Sequence, residues 1–277
     1  MHIQRGAWAE INLDAVAHNV QMAKANLKPT TKLCAVVKAD AYGHGAVRVA
    51  QEAARNGADF FAVALLQEGV KLREAGIEKP ILVLGSMLPE VAEICVRYDI
   101  SHAVFDEERL YALNAAALKL HTKAKIHIKI DTGMHRIGVH VRDAGRFAKL
   151  AASLPGIYIE GVFSHFATAD ADDKQYAAYQ FERFQEALRL IEAEGVHIPI
   201  RHIANSAALT ELQEYQLDMV RQGITLYGLH PAHMIDCYKD FEPVMTVKTQ
   251  VAFVKTLPPG ETIGYGRTYT LTRPSVI

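Results

Sequence analysis

The chain has 277 residues, of which 50% are hydrophobic and 22% are charged, and its formal net charge is −1 at pH 7. This balance is that of a globular protein long enough to bury one large core, and nothing in it indicates a surface for nucleic acid or an anionic membrane. The three cysteines, Cys34, Cys95 and Cys237, are far apart and form no CxxC pair, which argues against a disulfide framework and a thiolate zinc site and favours a reducing, cytoplasmic location.

Eight short apolar segments recur along the chain, and apolar residues spaced three or four positions apart follow each of them. The segments predicted to be strands are 32–37, 60–64, 80–85, 101–105, 124–130, 157–163, 200–204 and 218–223. Eight strand–helix units predict an α/β fold, a (β/α)₈ barrel within residues 1–239. A doubly wound sheet is the alternative, although no GxGxxG sequence follows the first strand.

The pattern changes after about residue 240, where β-branched residues alternate with polar ones and no helix is predicted. "VMTVKTQVAFVKTL" and "TIGYGRTYTLT" are typical of strands, and "PPGE" between them is typical of a turn. We therefore expect residues 240–277 to begin a β-rich second domain, with which residues 1–12 pair. Because the chain stops at "RPSVI" inside this region, we expect a fragment with weak or no activity.

Polar residues follow the predicted barrel strands at their C-terminal ends, where the active sites of such barrels lie. They are Lys38, Lys129, Asp131, Arg136, His165, Asn205, Ser206, Arg221 and Gly223. Each alone has an ordinary structural explanation, such as a helix cap at Asn205 or Ser206. Together, a lysine and a phosphate site made by Ser206 and the amides of Gly223 and Ile224 suggest pyridoxal 5′-phosphate held as a Schiff base.

Several motifs resemble those of the alanine racemases. "AVVKADAYGHGA" is very similar to the segment by which that family attaches its cofactor, and further motifs match in order: "KIDTGMHRIG", "GVFSHFATAD", "ANSAA", "RQGITLYGLHP" and "LPPGETIGYGRTYT". The resemblance implies a fold-type-III barrel followed by a β domain, a homodimer with shared active sites, and interconversion of L- and D-alanine for peptidoglycan. The family's C-terminal domain continues past the position of Ile277.

The resemblance also implies roles for individual residues. Lys38 would carry the cofactor and act as the base on one face of the substrate, and Tyr265 from the neighbouring subunit would act on the other. Arg136 would bind the substrate carboxylate, and Lys129 lies where some members carry a carbamylated lysine. The remaining residues implied to bind the cofactor are Tyr42, His165, Asn205, Ser206, Arg221, Gly223, Ile224 and Tyr227. No metal is expected.

Two other functions stay open from the sequence. One is a pyridoxal-phosphate-binding barrel without catalysis, although related barrels of that kind lack the β domain and its tyrosine. The other is a fold-type-III racemase or decarboxylase that acts on a different amino acid. Residues 240–277, with Tyr265, argue against the first of these.

Overall fold

The computed structural model describes residues 6–231 and 237–277. Its strands, in chain order, are β1 (Ala7–Ile11), β2 (Lys32–Val36), β3 (Phe60–Val63), β4 (Ile81–Val83), β5 (Ser101–Val104), β6 (Ala124–Asp131), β7 (Val139–His140), β8 (Ile157–Phe163), β9 (Ile200–His202), β10 (Met219–Gln222), β11 (Met245–Thr249), β12 (Thr256–Leu257), β13 (Thr262–Ile263), β14 (Tyr269–Thr270) and β15 (Ser275–Val276). The α-helices are α1 (Leu13–Ala25), α2 (Ala46–Arg55), α3 (Leu66–Glu74), α4 (Ala92–Arg97), α5 (Glu107–Lys119), α6 (Ala144–Ser153), α7 (Gln175–Ala193) and α8 (Ser206–Glu211).

The larger unit, Asn12–Val244, contains the predicted barrel. Its parallel strands are hydrogen-bonded in the order β10-β2-β3-β4-β5-β6-β8-β9, and β7 pairs only with β6. Two backbone hydrogen bonds connect the two ends of this order: the amide of Asp218 donates to the carbonyl of Arg201, and the amide of Arg221 donates to that of Ala204. All eight predicted strand segments contain a strand of the barrel, so the fold-class prediction is confirmed.

Strands β3 and β4 are continuously apolar, and β2 is apolar after Lys32, because both of their faces are covered. Leu33–Val37 and Phe60–Val63 are buried at every position, with one side packed by helices and the other facing the barrel interior. Helices alternate with the strands, and Gly57, Gly76 and Gly195 follow α2, α3 and α7 with left-handed backbones that end these helices. This framework holds the C-terminal strand ends, and the side chains that follow them, at one rim.

The smaller unit consists of Met245–Ile277 and the N-terminal segment that ends at Ile11. Strands β1 and β11 pair antiparallel, with Ala7 opposite Thr249, while β12 pairs with β15 and β13 with β14. Residues 1–5, part of the segment expected to pair here, lie outside the described residues. The alternating stretch after Thr249 is not a strand until Thr256, because its exposed side chains have no covering layer within the described unit.

None of the described helices is long and apolar enough to cross a membrane.

The backbone at Gly228, in the larger unit, leaves no room for a side chain. Gly228 has φ of +69°, and a Cβ atom there would lie 1.9 Å from the carbonyl oxygen of Glu242. We expect Gly228→Ala to lower the free energy of unfolding by more than about 2 kcal/mol, because the clash is with backbone and adds to the strain of a left-handed alanine.

The matched control is Gly76→Ala, where φ is +85° but no atom lies within 4 Å of the added Cβ. This substitution should lower the free energy of unfolding by only about 1 kcal/mol. Urea denaturation of both variants measures the difference, and equal losses would show that the contact with Glu242 is relieved without strain.

Candidate active site

A cavity of about 570 Å³ opens at the C-terminal ends of the barrel strands. The predicted site residues that line it are Lys38, Tyr42, Lys129, Arg136, His165, Asn205, Ser206, Arg221, Gly223 and Ile224. The fold therefore brings ten of the twelve predicted residues into one place. Tyr227 is buried behind the wall of the cavity, and Tyr265 belongs to the smaller unit, where its side chain is fully exposed.

The turn that follows Lys38 is left-handed. Four consecutive residues, Ala39 to Tyr42, have φ between 52° and 55°, a conformation that costs L-amino acids about 1–2 kcal/mol each. Two carboxylates stabilise it: Glu68 accepts a hydrogen bond of 2.6 Å from the amide of Ala39, and Asp40 accepts one of 3.0 Å from that of Ala46. Strain of this kind persists only where the surroundings enforce it, as at binding sites.

Aromatic rings behind the turn hold Tyr42 at the cavity. The Tyr227 hydroxyl donates a hydrogen bond of 2.8 Å to the carbonyl of Val36, and its ring centroid lies 5.0 Å from that of Tyr42. His44 packs on the Tyr227 ring with a centroid distance of 4.5 Å. Tyr227 therefore supports the cavity wall without lining it.

Polar groups from three loops form one corner of the cavity. The hydroxyl of Ser206 accepts a hydrogen bond of 2.8 Å from the amide of Gly223. A Cβ atom on Gly223 would lie 3.5 Å from the Tyr42 hydroxyl and 3.8 Å from Ser206 Oγ, so the glycine brings both hydroxyls to one small space. The adjacent amide of Ile224 begins a 3₁₀ turn and has no intrahelical acceptor. Hydroxyls and amides in this arrangement suit a phosphate group.

The guanidinium of Arg221 lies at the base of the cavity and is bonded only to uncharged acceptors among the described residues. Its Nη2 donates to the carbonyls of Ser164 and Ile203 at 2.8 and 3.0 Å and to His165 Nδ1 at 2.9 Å, while Nη1 donates to His202 Nδ1 at 2.7 Å. Burial lowers the pKa of Arg221 to about 10, which still leaves it charged at neutral pH. Burial, with Arg221 next in size, holds the pKa of His165 well below its usual value, so this imidazole is neutral.

Three residues outside the predicted site, His127, His202 and Glu160, form a largely buried chain behind Arg221. His202 Nε2 lies 2.9 Å from His127 Nδ1, and His127 Nε2 lies 3.0 Å from the Glu160 carboxylate. A signal was present: His127 precedes Lys129 by two positions, so alternation along the strand points both side chains the same way.

Lys129 is a second buried cation in the cavity wall. Its ammonium donates to the carbonyl of Ile130 at 3.1 Å and lies 5.2 Å from the centroid of the Phe163 ring. Burial, reinforced by Arg221, lowers the pKa of Lys129 to about 7. Near neutral pH, a large fraction of this amine is therefore unprotonated and nucleophilic.

Positive charge dominates the cavity. Lys38, Lys129, Arg136 and Arg221 line it, and Asp170 is the one carboxylate among its described lining residues. Burial and the neighbouring Arg136 lower the pKa of Lys38, and neither Lys38 nor Arg136 has an ion-pair partner among the described residues. A pocket of this charge suits a ligand with anionic groups.

Two protein families match consecutive parts of the chain. Residues 11–231 match the family described as "Alanine racemase, N-terminal domain", and residues 244–277 match "Alanine racemase, C-terminal domain". The alanine racemase of Desulfovibrio desulfuricans is 46% identical over 265 residues, which are 96% of this chain and 71% of that protein. The alanine racemase of Halothermothrix orenii is 45% identical and covers 99% of this chain, which spans 73% of its length.

Solved structures show the same similarity. The alanine racemase of Clostridium difficile 630 superposes with a TM-score of 0.91 at 38% identity. The match covers 99% of this chain and 72% of the Clostridium difficile chain. The enzyme of Bacillus anthracis, solved with bound L-Ala-P, has a TM-score of 0.90 at 35% identity and covers 100% of this chain and 72% of its own.

The buried amine of Lys129 should make the free energy of unfolding depend on pH. Its pKa is about 7 in the folded chain against an ordinary 10.5, so the unfolded chain binds more protons between these values. The free energy of unfolding must therefore rise with pH across this window, by up to about 1.4 kcal/mol per unit from this group, and the full penalty is present below about 7.

Lys129→Met removes the penalty, so it should stabilise the chain by several kcal/mol near pH 7 and by progressively less as pH rises. Urea denaturation in carbonate-free buffers at several pH values measures this difference. Ile128→Met is the control, because it changes a buried, uncharged position on the same strand. A difference between wild type and Lys129→Met that does not change with pH would contradict the prediction.

Proposed function

The chain belongs to the alanine racemase family, and we propose that its barrel cavity is where the family's reaction, the interconversion of L-alanine and D-alanine, takes place. The protein is an isomerase, and its product D-alanine serves peptidoglycan synthesis. The observation that carries the placement of the site is the convergence of Lys38, Arg136, Arg221 and the Tyr42–Ser206 corner on one cavity. A cytoplasmic location stays a prediction.

We propose pyridoxal 5′-phosphate as the cofactor because the donors in the cavity fit it. The Tyr42 and Ser206 hydroxyls and the Ile224 amide offer hydrogen-bond donors for a phosphate in the space left by Gly223, whose own amide donates to Ser206. Lys38 supplies a primary amine for the aldehyde, and Asn205 lines the wall beside Ser206. When bound, the cofactor accepts electron density from the substrate Cα and so acidifies its proton.

In this proposal, Arg221 determines the protonation state of the ring nitrogen of the cofactor. A guanidinium donates a hydrogen bond and does not give up its proton near neutral pH, so a ring nitrogen facing Arg221 stays unprotonated. The neutral His165, bonded to the same guanidinium, accepts from Arg221 through Nδ1 and keeps its Nε2 proton for a neighbouring oxygen. Arg136 binds the substrate carboxylate by a charge-assisted pair.

Racemisation needs a group on each face of the substrate Cα to take up or deliver a proton. On one face we propose Lys38, whose pKa is lowered by burial and by Arg136, which makes the amine a better base near neutral pH. On the other we propose Tyr265 of the partner subunit in a homodimer. The full exposure of Tyr265 on the smaller unit supports a role outside its own unit. A symmetric dimer would then form two equal sites.

Lys129 is proposed to be carbamylated. Its neutral amine would attack carbon dioxide, forming a C–N bond and releasing a proton to solvent, and the product is an anion in a cavity lined by Arg136 and Arg221. This anion would replace a buried cation that repels both arginines, and it would orient Arg136 toward the substrate.

The attachment of the cofactor provides the first test of this proposal. Treatment of the cofactor-loaded chain with borohydride, followed by peptide mapping, should find the pyridoxyl mass on Lys38. Recovery of that mass on Lys129 or on surface lysines, with Lys38 unmodified, would refute the assignment.

Activity provides the second test. Incubation with L-alanine should produce D-alanine, and Lys38→Ala should lower the rate by at least ~10²-fold because a positioned base is lost. Lys79→Ala, an exposed lysine away from the cavity, is the control and should retain the wild-type rate. Racemisation of another amino acid in preference to alanine, or equal rates for the two variants, would contradict the proposal.

A further inference from the structure

The buried chain behind Arg221 has a fixed hydrogen-bond direction. A guanidinium has only donors, so His202 Nδ1, 2.7 Å from Arg221 Nη1, must accept. A neutral His202 then carries its proton on Nε2 and donates it to His127 Nδ1 at 2.9 Å. His127 in turn carries its proton on Nε2 and donates it to Glu160 at 3.0 Å. The same carboxylate oxygen also accepts from the hydroxyl of Ser101 at 2.5 Å.

The packing around the two histidines holds the rings in these orientations. The His202 ring stacks on Phe163 with a centroid distance of 4.9 Å and an interplanar angle of 6°. His127 lies edge-on to Phe60, and a Cβ atom on Gly161 would lie 2.5 Å from His127 Nδ1. The glycine therefore makes room for the His127 ring, and both rings are packed against aromatic neighbours.

The charges make Glu160 the anionic end of this chain. Burial raises the pKa of Glu160, but hydrogen bonds from His127 and Ser101 and the attraction of Lys125 together bring it below its usual value, so it is ionised. His202 is neutral, because burial and Arg221 hold its pKa well below the usual value. Arg221 contacts no carboxylate among the described residues, so Glu160 is connected to it only through the two imidazoles.

We propose that Glu160 is a positioning residue for the reaction. Through His127 and His202, it fixes the tautomers of both imidazoles so that the unprotonated Nδ1 of His202 faces Arg221 and holds the guanidinium at the base of the cavity. Without the carboxylate, His127 is free to carry its proton on Nδ1 and donate to His202. His202 would then carry a proton on Nδ1 and direct it at Arg221, which has only donors. The effect on the cofactor rests on the proposed function, in which Arg221 faces the ring nitrogen.

The tautomers are measured without the cofactor, by ¹⁵N NMR of histidine side chains in the chain as purified and stripped of ligand. In wild type, His127 and His202 should both carry the proton on Nε2. In Glu160→Leu a population protonated on Nδ1 should appear. Glu160→Gln, nearly the same shape, keeps an oxygen that accepts from His127 and Ser101, so it should retain the wild-type tautomers. Ser101→Ala, which keeps the carboxylate, is the matched control and should match wild type.

Cofactor binding gives the second measurement, with pyridoxal 5′-phosphate and an analogue in which CH replaces the ring nitrogen. Glu160→Leu should weaken binding of the cofactor by ~10-fold through the displaced Arg221, and binding of the analogue by less than about twofold, whereas Glu160→Gln should bind both ligands like wild type. Equal weakening of both ligands by Glu160→Leu would overturn the proposal, as would wild-type tautomers in that variant. Equal binding of both ligands by wild type would instead refute the contact between Arg221 and the ring nitrogen in the proposed function.

Discussion

The site is built around a buried guanidinium, that of Arg221, which has no carboxylate partner among the described residues. Arg221 is bonded to two backbone carbonyls and to the imidazoles of His165 and His202, and each acceptor is neutral. Removal of a cation from water is expensive unless every N–H group finds an acceptor, so the carbonyls and imidazoles around Arg221 have little freedom. Their arrangement keeps both histidines neutral and leaves the cavity strongly positive.

That positive charge determines the properties of the other side chains in the cavity. Because Arg221 lies nearby, the amine of Lys129 loses its proton more readily than burial alone would cause, and Arg136 has the same kind of effect on Lys38. A cavity with amines of lowered pKa and a corner of hydroxyls and amides is suited to an aldehyde-bearing phosphate and an amino-acid carboxylate. Membership in the alanine racemase family agrees with this chemistry, whereas the individual residue roles rest on the resemblance together with the geometry and stay proposals.

The sequence predicts the barrel well because the pattern of a strand followed by a helix occurs eight times. Each strand segment is short and rich in apolar residues, and each helix has its own apolar period, so an error in one segment does not change the conclusion. The residues around the cavity were also predictable, since a polar residue directly after a buried strand is unusual and the topology brings all strand ends together. In the smaller unit the prediction was less accurate: alternation suggested a strand through residues 250–255, and the structure has none there.

Two features of the site could not be predicted because they depend on contacts distant in sequence. Nothing in Ala39, Ala41 or Tyr42 favours a left-handed backbone, which is imposed by Glu68 and by the packing of Tyr227. Likewise, His127 and His202 occupy strand interiors, where a histidine is ordinarily a packing residue, and their chain to Glu160 exists only after the barrel brings the strands together.

The proposal on which the role of the cavity depends is that Arg221 remains charged and holds the ring nitrogen of the cofactor unprotonated. The most direct measurement is the ¹⁵N chemical shift of that nitrogen, recorded with ring-labelled pyridoxal 5′-phosphate bound to the protein and followed over the pH range in which the chain stays folded. The account predicts the shift of an unprotonated pyridine that accepts a hydrogen bond, unchanged with pH and moved by Arg221→Glu to that of a protonated ring. A protonated nitrogen in the wild-type protein would contradict it.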